Sequence, residues 1–134
     1  MVNLSRSLTI LLAVPALVLL GGCARGPKDR LQGRWVGMTI DNIPRDQESR
    51  AMGWVKGTSF EFKGSKVTVV VPAEEPRTGE FKVTRTVGSK VTVEIKRPSG
   101  EADEATFVLA DEHSIKWDIG NERQITLEKA VASR

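Results

Sequence analysis

Cysteine and histidine each occur once in the 134 residues, and tyrosine is missing. A single cysteine excludes a disulfide within the chain and a cluster of thiolate metal ligands. With one histidine, His113, and no second thiol, the sequence also lacks the ligand set of a zinc centre. We therefore expect a fold held by burial and hydrogen bonding, with no metal and no dissociable cofactor.

The sequence also lacks the short motifs of common catalytic sites. It has no Gly-x-Ser-x-Gly turn, no phosphate-binding loop and no dinucleotide fingerprint. His113 lies in an acidic stretch typical of an exposed turn. Glu74 and Glu75 lie in a loop between prolines, where paired acid-base catalysis would have no fixed geometry. We predict that the protein is not an enzyme.

Neither sign of charge is in large excess. Lys and Arg number 20 against 17 Asp and Glu, a net charge of +3, and the two signs are interleaved along nearly every segment. Nucleic-acid-binding domains concentrate their cations, often with stacking aromatics between them, whereas aromatics make up 5% of this chain. We expect a mixed, solvated surface and no nucleic-acid partner.

The longest apolar run lies at the N-terminus. Arg6 precedes a run from Leu8 to Leu20, whose length suits the apolar part of a secretory signal peptide and is short for a membrane-spanning helix. Two small residues and the cysteine follow, and the stretch Leu20-Gly21-Gly22-Cys23 resembles the lipobox of bacterial lipoproteins.

This resemblance implies that residues 1–22 are a signal peptide, removed once the Cys23 thiol carries a diacylglycerol. A further acyl chain, such as palmitate, is expected on the new N-terminus, and two or three acyl chains hold a protein stably in a bilayer. Ala24 is not the aspartate that commonly retains such lipoproteins at the inner membrane. The resemblance therefore implies an outer-membrane anchor with the body facing the periplasm, joined by a flexible tether over residues 23–30.

Alternation of apolar and polar residues predicts strands from Leu31 onward. Glycine, asparagine, aspartate and proline separate the alternating segments at short intervals, as in hairpins. We predict an all-β domain over residues 31–129, an antiparallel up-and-down barrel of about eight strands, because closure removes unpaired edges. Residues 130–134 are expected to form a C-terminal tail.

The segment after the first strand does not follow this alternation. Gly33 to Ile40 reads as the first strand, and the second contains Phe60 and Phe62 and can begin as early as Trp54. The polar segment from Asp41 to Met52 predicts a long loop or a single helical turn. Because recognition usually lies on loops held by a rigid sheet, we expect a mobile rim there.

A second family resemblance comes from the body of the chain. Gly33-Arg34-Trp35 opening the first strand, the long first loop, the meander of strands and Arg123 entering the last strand together resemble the lipocalin-like (calycin) arrangement. The resemblance implies that the Trp35 indole closes one end of the barrel and that Arg123 packs across it, a cation–π contact.

The barrel interior is the remaining candidate site, and two questions stay open there. Arg85 is in phase with Phe81 and Val83, so it faces inward toward an acid or an anionic ligand unless a bulge turns it outward. Aromatic side chains either line a small apolar pocket or fill the core, and those side chains are Trp54, Phe60, Phe62, Phe107 and Trp117.

The sequence thus favours a membrane-anchored lipoprotein whose barrel binds a small apolar ligand or an envelope protein. The alternative is a structural or assembly lipoprotein that docks on a larger envelope complex without a ligand. A filled barrel with an apolar patch on its rim would favour docking, whereas an interior cavity with Arg85 at its base would favour a ligand.

Overall fold

Eight antiparallel strands, each paired with the next and the last with the first, close into a barrel. A computed structural model describes residues 26–131, so Cys23, the predicted signal peptide and residues 132–134 lie outside the described residues. The predicted all-β up-and-down barrel is confirmed. The strands are β1 (Gly33–Ile40), β2 (Ser59–Lys63), β3 (Lys66–Val70), β4 (Arg77–Val87), β5 (Lys90–Lys96), β6 (Ala102–Leu109), β7 (Ser114–Gly120) and β8 (Arg123–Lys129).

Helix occurs before β1 and between β1 and β2. Helix α1 spans Pro27–Leu31, so most of the predicted tether after residue 26 belongs to the folded body. A 3-10 turn at Arg45–Gln47 leads into α2, Glu48–Lys56, which has 9 residues where a loop or a single turn was predicted. Trp54 is therefore helical, and β2 begins only at Ser59. The α2 sequence is rich in good helix formers, Glu, Arg, Ala, Met and Lys, but too short for its periodicity to stand out.

Because successive strands run in opposite directions, the connections gather at two ends of the barrel. We call one the closed end; it holds α1 and the start of β1, the turns β2–β3, β4–β5 and β6–β7, and the end of β8. We call the other the mouth; it holds the α2 connection and the loops β3–β4, β5–β6 and β7–β8.

Alternate side chains from all eight strands fill the barrel. On β5 the apolar residues of the alternating pattern, Val91, Val93 and Ile95, face inward and are buried. Aromatic rings meet edge to face in the centre, with the Phe62 and Phe81 centroids 5.0 Å apart and those of Phe62 and Phe107 5.8 Å apart. Each fully buried side chain of this size contributes roughly 1.5–3 kcal/mol through burial.

The closed end is sealed by α1 and Trp35. The Trp35 indole is 1% exposed, and its Nε1 donates to the Leu31 carbonyl oxygen at 2.7 Å. The Gln32 side chain donates to the Gly64 carbonyl at 2.9 Å and accepts from the Gly64 N–H at 2.7 Å, which fastens α1 to the β2–β3 turn. Trp35 thus plugs this end.

The cation that lies over Trp35 is Lys129, and the prediction of Arg123 in this role is wrong. The Lys129 Nζ lies 5.3 Å from the Trp35 ring centroid, and the two residues pair across β1 and β8. Arg123 begins β8 at the mouth, where its Nε donates to the Asn42 carbonyl at 3.2 Å. Because β8 is antiparallel to β1, the start of β1 faces the end of β8.

Candidate functional site

A cavity of about 280 Å³ opens at the mouth of the barrel. Its walls come from α2, from strands β2 to β7 and from the β3–β4 loop, so it enters the barrel along the strand axis. The apolar walls are Trp54, Phe60, Val69, Val71, Ile95, Ala105 and Trp117, and the polar rim includes Glu74, Glu75, Arg77, Arg97, Asp103 and Glu104.

Three aromatic rings form one wall of the cavity. Trp117 on β7 stacks against Trp54 of α2, with centroids 6.4 Å apart and planes at 24°. Phe60, at the inward start of β2, meets Trp117 edge to face at 4.9 Å. Trp54 remains 38% exposed although it is packed against Trp117. This wall is an apolar surface that a small molecule can cover.

Helix α2 holds Trp54 in place by docking on β1. Val55 is fully buried, and a side chain at Gly37 would put its Cβ within 2.1 Å of the Val55 carbonyl oxygen. The Gly37 N–H donates to the Thr58 carbonyl at 2.9 Å, and the Thr58 hydroxyl donates to the Trp54 carbonyl at 3.0 Å. Glycine at position 37 therefore permits the close approach that brings α2 to the mouth.

The rim carries more negative than positive charge. Both arginines of the rim form ion pairs. The Arg77 guanidinium lies 2.7 Å from the Glu74 carboxylate, and the Arg97 guanidinium makes a bidentate pair with the Asp103 carboxylate at 2.8 and 3.0 Å. Glu75 and Glu104 are exposed and have no ion pair within residues 26–131. The uncompensated charge at the mouth is therefore negative.

The five predicted aromatic residues divide between the two roles left open. Phe62 and Phe107 are 2% and 0% exposed and fill the core below the cavity. Trp54, Phe60 and Trp117 line the cavity itself. The sequence placed Phe60 and Trp117 on inward faces, but Trp54 reaches the site from α2 rather than from a strand.

Of the two orientations left open for Arg85, the structure shows the outward one, because a β-bulge turns the side chain away from the interior, so Arg85 is not a ligand-binding group of the barrel interior. Val83 pairs with Val93, but Arg85 pairs with Thr92, so Thr84 is an extra residue in β4. The side chain of Arg85 is exposed and lines a shallow depression on the outside of the barrel, which Asp118, three strands away, also lines.

The residues that create the space were not singled out from the sequence. Gly79 and Ala105 occupy inward positions of β4 and β6 near the mouth, where the strands deeper in the barrel place Phe81 and Phe107. Small residues at inward positions leave a void unless a neighbour fills it. Two small residues among the larger apolar residues of β4 and β6 were the available signal.

His113 and Asp111 lie in the turn between β6 and β7. At the closed end, Asp111 accepts hydrogen bonds from the backbone N–H groups of His113 at 2.7 Å and Ser114 at 2.9 Å. The hydrogen bond from the His113 backbone is the main cause that lowers the pKa of Asp111. His113 itself is exposed, as its sequence context predicted.

Between residues 26 and 131, no group of three or more His, Cys, Asp and Glu side chains is placed to hold a metal ion. The helices in this part of the chain are all too short to cross a bilayer. Comparison of the chain with protein-family models, with curated proteins and with solved structures found no match.

Proposed function

We propose that the protein is a lipid-anchored, non-enzymatic binding module that holds a small organic cation with an apolar body in the mouth cavity. The observation that carries the proposal is a cavity of about 280 Å³ lined by the partly exposed rings of Trp54 and Trp117 and by buried Phe60, above a core filled with side chains. Concave apolar sites with a few polar groups are the usual form of small-molecule sites.

The volume restricts the size of the ligand. A cavity of 280 Å³ lies at the small end of ligand pockets. This suits one ring or a short branched chain rather than a long acyl chain. The core residues Phe62 and Phe107 block a deeper path down the barrel axis.

The walls and the rim favour a positive charge on the ligand. The faces of Trp54 and Trp117 attract cations through the ring quadrupole, and the exposed carboxylates of Glu75 and Glu104 border the cavity without an ion pair in the described residues. An anionic ligand would meet Arg77 and Arg97 only in competition with their acidic partners. A cation meets carboxylates that have no ion pair within residues 26–131.

The anchor is the second part of the proposal. It is supported by the order of Arg6, the apolar run and Leu20-Gly21-Gly22-Cys23, which resembles a lipobox. Under this proposal, Cys23 is the acylated first residue of the mature chain, held at the outer membrane with the barrel in the periplasm. Mass spectrometry of the N-terminal peptide tests the anchor, and Cys23→Ser should abolish acylation and normal cleavage.

Three small probes with the same ring test the ligand class: benzyltrimethylammonium, benzyl alcohol and benzoate. Two of the 3 tryptophans, Trp54 and Trp117, line the cavity, so binding should change the intrinsic fluorescence. We expect the affinity to fall from the cation to the alcohol to the anion. Equal affinities would contradict the charge assignment.

Paired variants test whether the probe enters this cavity. Ala105→Leu fills the void and should reduce binding of the cation at least tenfold, whereas Ala102→Leu, exposed on the same strand, should leave it unchanged. Glu75→Gln should weaken cation binding several-fold, and Glu122→Gln, at the mouth but outside the lining, should not. Absence of binding by all three probes would instead support the assembly role.

A further inference from the structure

The fold separates charges that the sequence interleaves. The closed end, taken as residues 26–34, 63–66, 86–90, 110–114 and 128–131, carries seven cations and four anions, a net charge of +3. The cations are Lys28, Arg30, Arg34, Lys63, Lys66, Lys90 and Lys129, and the anions are Asp29, Asp111, Glu112 and Glu128.

The mouth has the opposite balance. Residues 41–58, 71–78, 96–104 and 118–124 carry seven cations and ten anions, a net charge of −3. The barrel wall between the two ends carries three charges of each sign, so it is neutral. The barrel therefore has a positive end and a negative end along its axis.

The cations at the closed end are also free of acidic partners. Within residues 26–131, the ion pairs are those of Arg77, Arg97 and Lys82, all at the mouth or on the wall. Lys28 donates instead to the Ser65 hydroxyl at 2.8 Å, and the Lys129 ammonium lies over the Trp35 ring. No closed-end cation forms an ion pair within residues 26–131, although Arg30 and Lys129 line one depression with Asp111 and Glu112.

The chain connects this same end to the proposed anchor. Gly26 follows Cys23 by three residues, a span of about 11 Å at full extension. From Pro27 onward the chain belongs to α1, which Gln32 and Lys28 fasten to the β2–β3 turn. An acylated Cys23 would therefore keep the closed end within a short distance of the bilayer.

From these observations we infer that the closed end is a membrane-contacting surface that binds the headgroups of anionic phospholipids, with the mouth directed away from the bilayer. The orientation rests on the proposed lipid anchor, whereas the attraction to anionic lipid rests on the charge distribution alone. A basic residue near an anionic bilayer strengthens binding by up to about fivefold. The acidic mouth is repelled by the same surface, which reinforces the orientation.

The test uses the full, acylated chain reconstituted in vesicles of phosphatidylcholine alone or with one quarter phosphatidylglycerol. Ser89→Cys, in the β4–β5 turn, and Ser99→Cys, at the mouth, each accept a thiol-reactive fluorophore, because the Cys23 thiol is acylated. The vesicles contain a lipid with a nitroxide on its headgroup as quencher. We expect stronger quenching of the Ser89 label on the anionic vesicles, lost in 0.5 M salt, and weak quenching of the Ser99 label on both.

Charge-matched variants separate electrostatic binding from the reach of the anchor. The triple change Lys63→Gln, Lys66→Gln and Lys90→Gln should return quenching of the Ser89 label on anionic vesicles to its value on phosphatidylcholine. The control removes three exposed cations from the mouth, with Arg45→Gln, Arg50→Gln and Lys56→Gln, and should keep the difference. Equal quenching on both vesicle types, or the same loss in both triple variants, would overturn the inference.

Failure of the anchor is recognised separately. If mass spectrometry shows Cys23 without acyl chains, the lipoprotein proposal fails, and sedimentation of the same chain with the two vesicle types tests the charge-based contact directly. Binding to the anionic vesicles that falls at least tenfold in the closed-end triple variant would support the contact. Absence of binding would overturn it.

Discussion

The ammonium group of Lys129 lies 5.3 Å from the centroid of the Trp35 ring, at the point where the first and last strands of the barrel pair. The stem of Lys129 also lies against Gly33, where an added Cβ would come within 2.6 Å of its Cε atom. The Lys129 side chain thus covers both the Trp35 ring and Gly33, the first residue of β1. We therefore expect Lys129 to stabilise the pairing of β1 with β8 at the closed end.

Replacing Lys129 should weaken the barrel more than replacing Arg123. Lys129→Met removes the charge over Trp35 and is expected to cost about 0.5–1 kcal/mol of unfolding free energy, whereas Lys129→Arg should retain most of it. Arg123→Met loses one exposed hydrogen bond to Asn42 and should cost less than about 0.5 kcal/mol. Urea unfolding of the three variants checks the order, and a larger cost for Arg123→Met would contradict it.

Two glycines near the mouth should respond to alanine in opposite directions. Gly37→Ala places a Cβ against the Val55 backbone and should cost about 1–3 kcal/mol, because α2 must move away from β1. Gly53, within α2, has no atom near an added Cβ, so Gly53→Ala should stabilise the protein by about 0.5–1 kcal/mol through helix propensity.

Ligand binding gives a second measurement on the same pair. Gly37→Ala should weaken binding of benzyltrimethylammonium, because displacement of α2 carries Trp54 away from Trp117. Gly53→Ala should leave binding unchanged. Equal destabilisation by the two variants would show that the close approach of α2 to β1 is unimportant.

Strand faces were predictable, because alternation is a local property of each segment. It correctly placed Val91, Val93 and Phe107 inside. It left the direction of Arg85 open, because only the strand register shows that Thr84 is an extra residue that changes the phase of β4. Alternation placed Ala105 on an inward face, but that Gly79 and Ala105 line one cavity depends on how the strands meet in the barrel.

Features that depend on how segments distant in the sequence pack together were harder to predict from the sequence. The partner of Trp35 follows from the β1–β8 register, which selects Lys129 over Arg123. The separation of charge arises because the hairpins carrying Lys63, Lys66 and Lys90 all turn at the same end. A sequence in which the two signs of charge are interleaved therefore forms a barrel with one positive and one negative end, because its strands alternate in direction.

The two hydrogen bonds between the Gln32 side chain and Gly64, which we call the clasp, give a further prediction. Gln32→Ala removes both side-chain hydrogen bonds to Gly64 and should cost about 1 kcal/mol. Because α1 would then loosen, the Trp35 Nε1 proton, which is donated to Leu31, should exchange with solvent faster. Gln47→Ala, exposed in the 3-10 turn, is the matched control and should leave this exchange rate unchanged. Unchanged exchange in Gln32→Ala would show that α1 is held without the clasp.

The β6–β7 turn should lose stability in acid through Asp111. The hydrogen bond from the His113 backbone N–H lowers the pKa of Asp111 below its ordinary value of 3.8. The carboxylate therefore contributes its full stabilisation above that value, and the contribution is lost as the pH falls through the lowered pKa. Asp111→Asn retains an acceptor for the turn but does not titrate. The difference in unfolding free energy between the wild type and Asp111→Asn should be constant from pH 5 to 6 and shift against the wild type below about pH 4.

The cause of this shift can be tested at the same residue. Because the largest effect is a backbone hydrogen bond, His113→Gln keeps the donor and should preserve most of the acid dependence, and 0.5 M salt should alter it little. An acid dependence that disappears in His113→Gln would assign the shift to the imidazolium charge instead. A wild type and Asp111→Asn that unfold in parallel from pH 3 to 6 would show that the turn carboxylate does not couple to folding.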